Sequence, residues 1–550
     1  MCVIAIAVGE CLGELVQKFP VYNAINVYVR VFVDPDLAWV TSIAYWYAYA
    51  SIFANQSLAA ASLAGYWGLS KTWQAVVFYT LVPITLTIIN LAGVFWYGLI
   101  ETIGGLLKIF LVVGVSIFLY YIAGKDGNDY ITEGVHHDAR YVSDSVSAIC
   151  YCFPIIAYGF LGIEIIGLTA YETIDPKNLK WPARSVAIFT CIIYLMVTIG
   201  ESLNVHWTDQ NLPAIYSGIG ASDIAAPQDP PSSSIVIRAT YYAGYKTMAS
   251  FLNGCLIFSS MSAANTSLYV ASRTLFGMTQ ELRMAGAQNW FTRRLRVLAK
   301  TNGRKVPVPA ILFSFISFLW LPYLQLIKGY PIQEFIQIIS ISGSVAVVMV
   351  WASVCLAYIR YKQWLNICKT GITNDAPEYL RSHADYNAST FLSLGQPALA
   401  YIGLFGCILI LAFASTTWWE TRANFGKVAS AYAAVIICFI VYILIKLFSR
   451  PFSHFIRPWT WFRHLDADTA VFLDEMQRLK NNRTRPRQRE DEAVQPTEAE
   501  TTHYSKDHLT VTSPGGTGSF NDRPSSGDTY GPPPTQSSVD RRPPAVYFDR

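Results

Sequence analysis

The residues best suited to chemistry lie inside stretches that are otherwise apolar. In Tyr158-Gly159-Phe160-Leu161-Gly162-Ile163-Glu164, two glycines stand three apart, Pro154 stands one turn earlier, and a carboxyl group follows. Glycine weakens a helix by about 1 kcal/mol relative to alanine, and proline by about 3. At membrane depth, non-helical backbone is tolerated only where it is buried in protein or lines a cavity. Secondary transporters use such breaks to offer N–H and C=O groups to a substrate near the midplane. An acidic side chain at that depth is a functional candidate for the same reason. The alternative is a tightly packed glycine-containing helix whose Glu164 hydrogen-bonds a neighbour.

Glu101 and Lys108 form a second set. Seven residues are two helical turns, so both face one side. A lysine held in the membrane must pair, deprotonate or face a cavity. Its charge can stand where a coupling cation would otherwise sit, or the two groups form a static ion pair. The stretch 247–271 carries Ser259, Ser260, Ser262, Asn265, Thr266 and Ser267. Such a polar face suits an aqueous cavity, with helix–helix hydrogen bonding as the alternative. Asn55 and Gln56 pose the same choice. Glu10 and Glu14, one turn apart, read as a feature of a cytoplasmic helix end rather than a proton relay.

These residues need long apolar elements to position them. A helix crosses a bilayer with about 20 residues. Such stretches occur near 38–64, 75–97, 101–123, 147–171, 185–203, 247–271, 307–327, 335–358, 397–417 and 428–448. A further apolar run ends near Val16 and reads as the clipped end of a longer helix, not a signal peptide. The expectation is an all-α integral membrane protein with about eleven spans. Lys and Arg concentrate in 273–306, 172–184 and 360–396. The positive-inside rule puts these loops and the C-terminal tail in the cytoplasm, and 124–146 and 204–246 outside.

The membrane domain is therefore expected over 1–450. In 451–480, Phe452, Phe455, Trp459, Trp461 and Phe462 are interleaved with Arg457 and Arg463, as in an interfacial segment. Phe472, Met476 and Leu479 then recur at helical spacing. The segment 481–550 is rich in Pro, Ser, Thr, Gly and charge and is expected to be a disordered cytoplasmic tail. Lys480 and Lys506 are candidate acceptors there for ubiquitin-ligase machinery.

Composition excludes other classes. Hydrophobic residues make up 53% of the 550-residue chain and charged residues 14%, against about 25% charged in soluble domains. The first 450 residues hold only 28 Lys/Arg and 23 Asp/Glu, too few for a water-facing surface. A net charge of +4 gives no footprint for nucleic acid. Ten scattered cysteines and eight histidines show no metal-ligand spacing. Neither an HExxH nor a GxSxG motif is present, so no enzyme, cofactor or metal is expected.

At this point the chain resembles the yeast (fungal) amino-acid transporter family of the amino acid–polyamine–organocation superfamily, from about residue 8 to 450. Cys11-Leu12-Gly13-Glu14 through Phe19-Pro20-Val21 resembles the end of that family's second helix. Phe32-Val33-Asp34-Pro35 with Tyr45-Trp46 is similar to its third. Asn90-Leu91-Ala92-Gly93-Val94 and Tyr97-Gly98 through Glu101 and Lys108 are similar to its fourth and fifth. Phe160-Leu161-Gly162-Ile163-Glu164, with Glu172, Asp175-Pro176 and Pro182, resembles the sixth. Ser262-Ala263-Ala264-Asn265 and Tyr269-Val270-Ala271-Ser272-Arg273-Thr274-Leu275 form the most specific string, in the eighth, and Arg304-Lys305-Val306-Pro307 enters the ninth.

The resemblance implies an inverted-repeat (5+5) transporter fold with two further helices. It implies a proton-coupled importer of amino acids at the plasma membrane, with substrate, protons and lipid bilayer as partners. Tyr158 would be an aromatic gate. The backbone at Phe160, Leu161 and Gly162 would meet the substrate's amino group, with Asn55 also lining the site. Glu164 and Lys108 would couple protons, and Ser262 and Asn265 would face the cavity. Two departures stand out. The family's first helix, with its glycine-rich break, has no counterpart here, and Gln56 stands where the family has a glutamate. The rival reading is a transport-deficient membrane sensor, or a degenerate or mis-started permease fragment.

Overall fold

A computed structural model describes residues 1–127, 144–169, 180–209, 234–284, 290–327, 330–383, 395–414, 425–448 and 462–481, with positions 129, 130, 132, 134, 136, 232 and 386 between them. They belong to one compact unit, Met1–Arg489; a second, Glu490–Arg550, lies outside the described residues. Every regular element described is helical: α1 Cys2–Lys18, α2 Ala24–Phe32, α3 Pro35–Ala64, α4 Lys71–Gln74, α5 Val82–Ala92, α6 Val94–Asp126, α7 Ser145–Gly159, α8 Ile166–Thr169, α9 Lys180–Asn204, α10 Ile235–Tyr242, α11 Lys246–Met284, α12 Trp290–Leu295, α13 Val308–Leu319, α14 Tyr330–Ile367, α15 Lys369–Asp375, α16 Ala398–Ala412, α17 Phe425–Phe448 and α18 Thr469–Asn481. Each of the ten expected spans carries helix.

Local chemistry sets the boundaries. Asp34 caps α3, its carboxylate accepting from the N–H groups of Asp36 and Leu37 (2.8 and 2.9 Å), and Pro35 follows as the first helical residue. Such a cap contributes about 1 kcal/mol. Between α4 and α5 the chain runs as a wider π-helix, Ala75–Leu81. Pro83, which has no N–H to give the ladder, follows directly. The break between α5 and α6 falls at Gly93, whose φ is 112°. The apolar pattern put the break after residue 97; it falls earlier because Glu101 lies inside α6 rather than at its end.

Six helices among the described residues are long and apolar enough to cross a membrane. Although 30 residues long, α3 is not among them. It carries Thr41, Ser42, Tyr45, Tyr49, Ser51, Asn55, Gln56 and Ser57, and most of its surface is buried. It packs against α11, α14, α2 and α17, so protein takes the place of lipid around it. Elsewhere small residues let helices close. Gly9 and Gly13 on α1 meet Ala187 and Ala183 on α9, where an added Cβ would stand 3.2 Å from each alanine Cβ. This is the small-xxx-small packing of membrane helices. The outer faces of α6 and α9 are apolar, with Phe95, Phe110, Phe189 and Leu195 exposed.

The connections sort to two ends of the bundle. At one end, Arg30 pairs with Glu281 (2.9 Å), Lys446 pairs with Asp34 (2.8 Å), and the Arg463 N–H donates to the Val33 carbonyl (2.6 Å). At the other, Lys125 donates to the Tyr245 hydroxyl (2.8 Å), Trp67 to Ser250 (2.7 Å) and Asn253 to the Leu63 carbonyl (2.9 Å). Among the described residues, Glu281 and Arg463 of expected cytoplasmic segments thus share one end, and Lys125 and Tyr245 of expected outer segments lie at the other. The amphipathic face anticipated at Phe472, Met476 and Leu479 is that of α18, and it is buried against the protein itself. The aromatic residues 452–461 and the tail beyond 481 lie outside the described residues.

The positive-inside rule predicts that the basic end faces the cytoplasm. In an Asn302→Cys variant, this exposed position should react with a membrane-impermeant thiol reagent in inside-out vesicles. Labelling above the unsubstituted chain's background in intact cells would reverse the assignment.

Candidate functional site at the broken helix

Helix α7 stops at Gly159 and α8 starts at Ile166. Between them the i−4 ladder gives way to tighter contacts: Phe160 N–H to Ala157 (3.0 Å), Leu161 to Tyr158 (3.3 Å), and Ile165 to Gly162 (3.1 Å). Gly162 has φ 110°, a conformation that strains any residue with a Cβ. Gly159 is required for space: an added Cβ would lie 2.8 Å from the Tyr194 hydroxyl on α9. The Phe160 ring stacks on Tyr194, with centroids 5.2 Å apart.

Glu164 is fully buried. Its carboxylate accepts from the Tyr49 hydroxyl of α3 (2.5 Å), from the Trp351 indole of α14 (3.0 Å) and from the Gly162 N–H within the break (3.3 Å). The broken helix and the hydrogen-bonded glutamate, posed as alternatives by the sequence, therefore occur together. Tyr158 is half-buried and its hydroxyl accepts from Gln56 Nε2 (2.9 Å). One residue along α3, both amide atoms of Asn55 are buried with no hydrogen-bond partner among the described residues. Phe160 is buried, while Leu161 and Gly162 are half-buried.

Lys108 belongs to a second cluster. Its ammonium donates to Glu101 (2.8 Å) and to Ser262 on α11 (2.8 Å), and the Ser262 hydroxyl also reaches Glu101 (3.1 Å). Asn265, one turn further along α11, is buried and accepts from Asn90 of α5 (2.9 Å). Gly104 of α6 lets Ser262 approach; an added Cβ would be 3.6 Å from its hydroxyl. Sequence reasoning missed Tyr49, Trp351 and Tyr194. The only local signal was an aromatic ring with a polar handle inside an apolar helix, which needs a partner when buried.

If the break is what the glycine geometry serves, Gly162→Ala should lower stability by about 1–3 kcal/mol. Gly105→Ala, in open space on α6, should be neutral or stabilising by up to about 1 kcal/mol. Thermal unfolding of the purified chain in detergent reads both. Equal melting temperatures for the two variants would contradict the role given to Gly162.

Comparison with known proteins agrees with this architecture. The chain matches the amino acid permease family over residues 1–456. It is 25% identical to the amino-acid permease GAP5 of Candida albicans, over 86% of this chain and 70% of that one. It is 24% identical to the dicarboxylic amino acid permease of Saccharomyces cerevisiae, over 73% and 62%, and 23% identical to the tryptophan permease of the same yeast, over 80% and 68%. The chain thus spans about two thirds of the length of these relatives. A match across most of the chain, on a bundle of apolar helices, identifies a multi-pass membrane protein rather than an enzyme: the chain belongs to the amino acid permease family.

Proposed function

We propose that this chain imports amino acids across the plasma membrane by proton-coupled symport, binding its substrate at the interrupted helix around residues 158–164. The observation that carries the reading is the interruption itself; on α3, next in sequence to the Gln56 that binds Tyr158, the Asn55 amide is buried with no partner among the described residues. A zwitterion needs acceptors for its ammonium group and donors for its carboxylate. Carbonyl groups at Phe160 and Leu161, off the regular ladder, supply the first; Gly162, whose carbonyl already accepts from Ile165, adjoins them and Tyr158 borders them. Asn55 offers one donor and one acceptor from α3. The relatives' names include an aromatic and a dicarboxylic substrate at nearly equal identity, so the proposal stops at the amino-acid class.

Coupling is assigned to two groups. Glu164 is held by neutral donors from two other helices and by the break's own backbone, so its protonation bears directly on how the break sits. Lys108 places a positive charge between α6 and α11, bridged by Ser262. The tail is assigned to turnover through ubiquitin-ligase machinery. Lys480 is a poorer acceptor for ubiquitin than its exposure suggests: it lies 3.8 Å from Glu378 and over the Tyr379 ring. Lys506 is then the better of the two candidates.

Uptake of labelled amino acids into vesicles under an imposed pH gradient tests the reading. One pH unit corresponds to about 1.4 kcal/mol per proton, enough to sustain about tenfold accumulation. Glu164→Gln keeps the shape and loses the titration, so accumulation should fall toward the equilibrium ratio while binding changes less. Lys108→Ala should leave binding measurable and remove the dependence on the gradient. Gradient-driven uptake by both variants at the wild-type level would refute proton coupling through these groups. Binding without uptake by the unsubstituted chain would favour the sensor reading.

A further inference from the structure

Glu14 is a buried carboxylate that the substrate site does not use. Its side chain is 2% exposed, yet it meets two cations, Lys362 (2.8 Å) and Arg381 (2.5 Å). The hydroxyls of Tyr358 (2.7 Å) and Tyr386 also donate to it. Tyr358 and Lys362 stand one turn apart on α14, whereas Arg381 and Tyr386 come from the segment that follows it. Burial pushes the Arg381 guanidinium down, but the Glu14 carboxylate and the Tyr358 and Tyr386 hydroxyls together outweigh it and hold the group above its ordinary value, so Arg381 stays a cation. One turn beyond Glu14, Lys18 donates to the Glu378 carbonyl (2.8 Å) and sits over the Tyr386 ring.

A second layer covers this cluster. Phe472 of α18 is fully buried and packs edge-on against Trp364 (5.3 Å) and Tyr379 (6.0 Å). The Trp364 indole donates to the Asp466 carbonyl (2.8 Å). The C-terminal helix thus holds down the segment whose Arg381 and Tyr386 grip Glu14. Helices α1 and α14 pack on each other and both on α16; beyond that seam α1 packs on α9 and on α8, the far half of the broken helix, and α14 on α3, α17 and α7.

We propose that Glu14 and its four partners form a latch at the cytoplasmic end, closing the seam between α1 and α14, and that α18 sets its strength by clamping residues 376–383. The latch goes beyond the substrate reading, and rests on it only in taking the seam as the exit path. A static brace would show the same contacts, so the test must detect opening.

Cys11, three residues before Glu14 and fully buried, reports on the seam, and Cys438 on α17, also buried, reports general loosening. The full chain in lipid nanodiscs is exposed to a small alkylating reagent, and both sites are followed by peptide mass mapping. This readout requires neither transport nor an assigned substrate. In Glu14→Gln and Arg381→Gln, Cys11 should react about tenfold faster, the factor given by about 1.4 kcal/mol of lost closure, with Cys438 unchanged. Phe472→Ala should speed Cys11 as well, and should add nothing in the Glu14→Gln background. Unchanged Cys11 in both latch variants, or Cys11 and Cys438 rising together, would overturn the latch. A Phe472→Ala effect that persists in full beside Glu14→Gln would overturn the role of α18.

Discussion

A carboxylate with no access to water must receive every hydrogen bond from protein, and Glu164 imposes that condition at the centre of this bundle. Its donors are a phenol on α3, an indole on α14 and an N–H within the break. The condition fixes more than one side chain. It sets α3 and α14 against the interrupted helix at the same depth. Gly343 on α14 shows how close they come: an added Cβ would stand 2.9 Å from the Ser51 hydroxyl on α3. The interruption, α3 and α14 meet at this one satisfied carboxylate.

The same logic explains why α3 is polar for a membrane helix. A lipid-facing helix cannot carry eight hydroxyl and amide side chains without cost. Surrounded by α11, α14, α2 and α17, α3 can, and it becomes the element on which polar contacts converge. Thr41 meets Ser353, Tyr47 meets Ser342, and Trp46 donates to Ser314. These bonds tie it to α13 and α14 where dispersion alone would leave register loose. Helices α6 and α9 illustrate the converse. Their outward faces bear large apolar side chains, and the exposed hydroxyls of Thr102, Ser185, Thr190 and Ser202 are each satisfied by a carbonyl of their own helix.

What was legible in the sequence follows from range. Apolar runs of bilayer length, the Gly159/Gly162 interruption and the face of α18 are all local, and each was readable. Partners were not. Tyr49 and Trp351 lie 115 and 187 residues from Glu164, and Tyr358 lies 344 from Glu14. No spacing rule reaches across such distances, because the pairings are set by how helices cross, which depends on small-residue seams such as Gly9/Gly13 against Ala183/Ala187. Local pattern also misplaced the α5–α6 break. A glutamate reads as a helix end until Lys108 and Ser262 are seen to satisfy it, and Gly93 reads as an ordinary apolar-span glycine until its φ is known.

The acidic groups in this chain are compensated in two different ways, and the difference bears on mechanism. Glu14 and Asp34 sit among cations: Lys362 and Arg381 for the first, Lys446 for the second. Removing one member of such a buried pair strands the other, at a cost of about 3–5 kcal/mol, so these groups are suited to holding helix ends together. The donors described around Glu164 are neutral instead. A neutral donor stabilises the carboxylate without fixing its charge, and no counter-ion is stranded when a proton arrives. A chain that grips at one rim and exchanges a proton at its centre, as proposed for this one, would need both arrangements. The placement of arginine and lysine at the rim, and of tyrosine and tryptophan at the centre, supplies them.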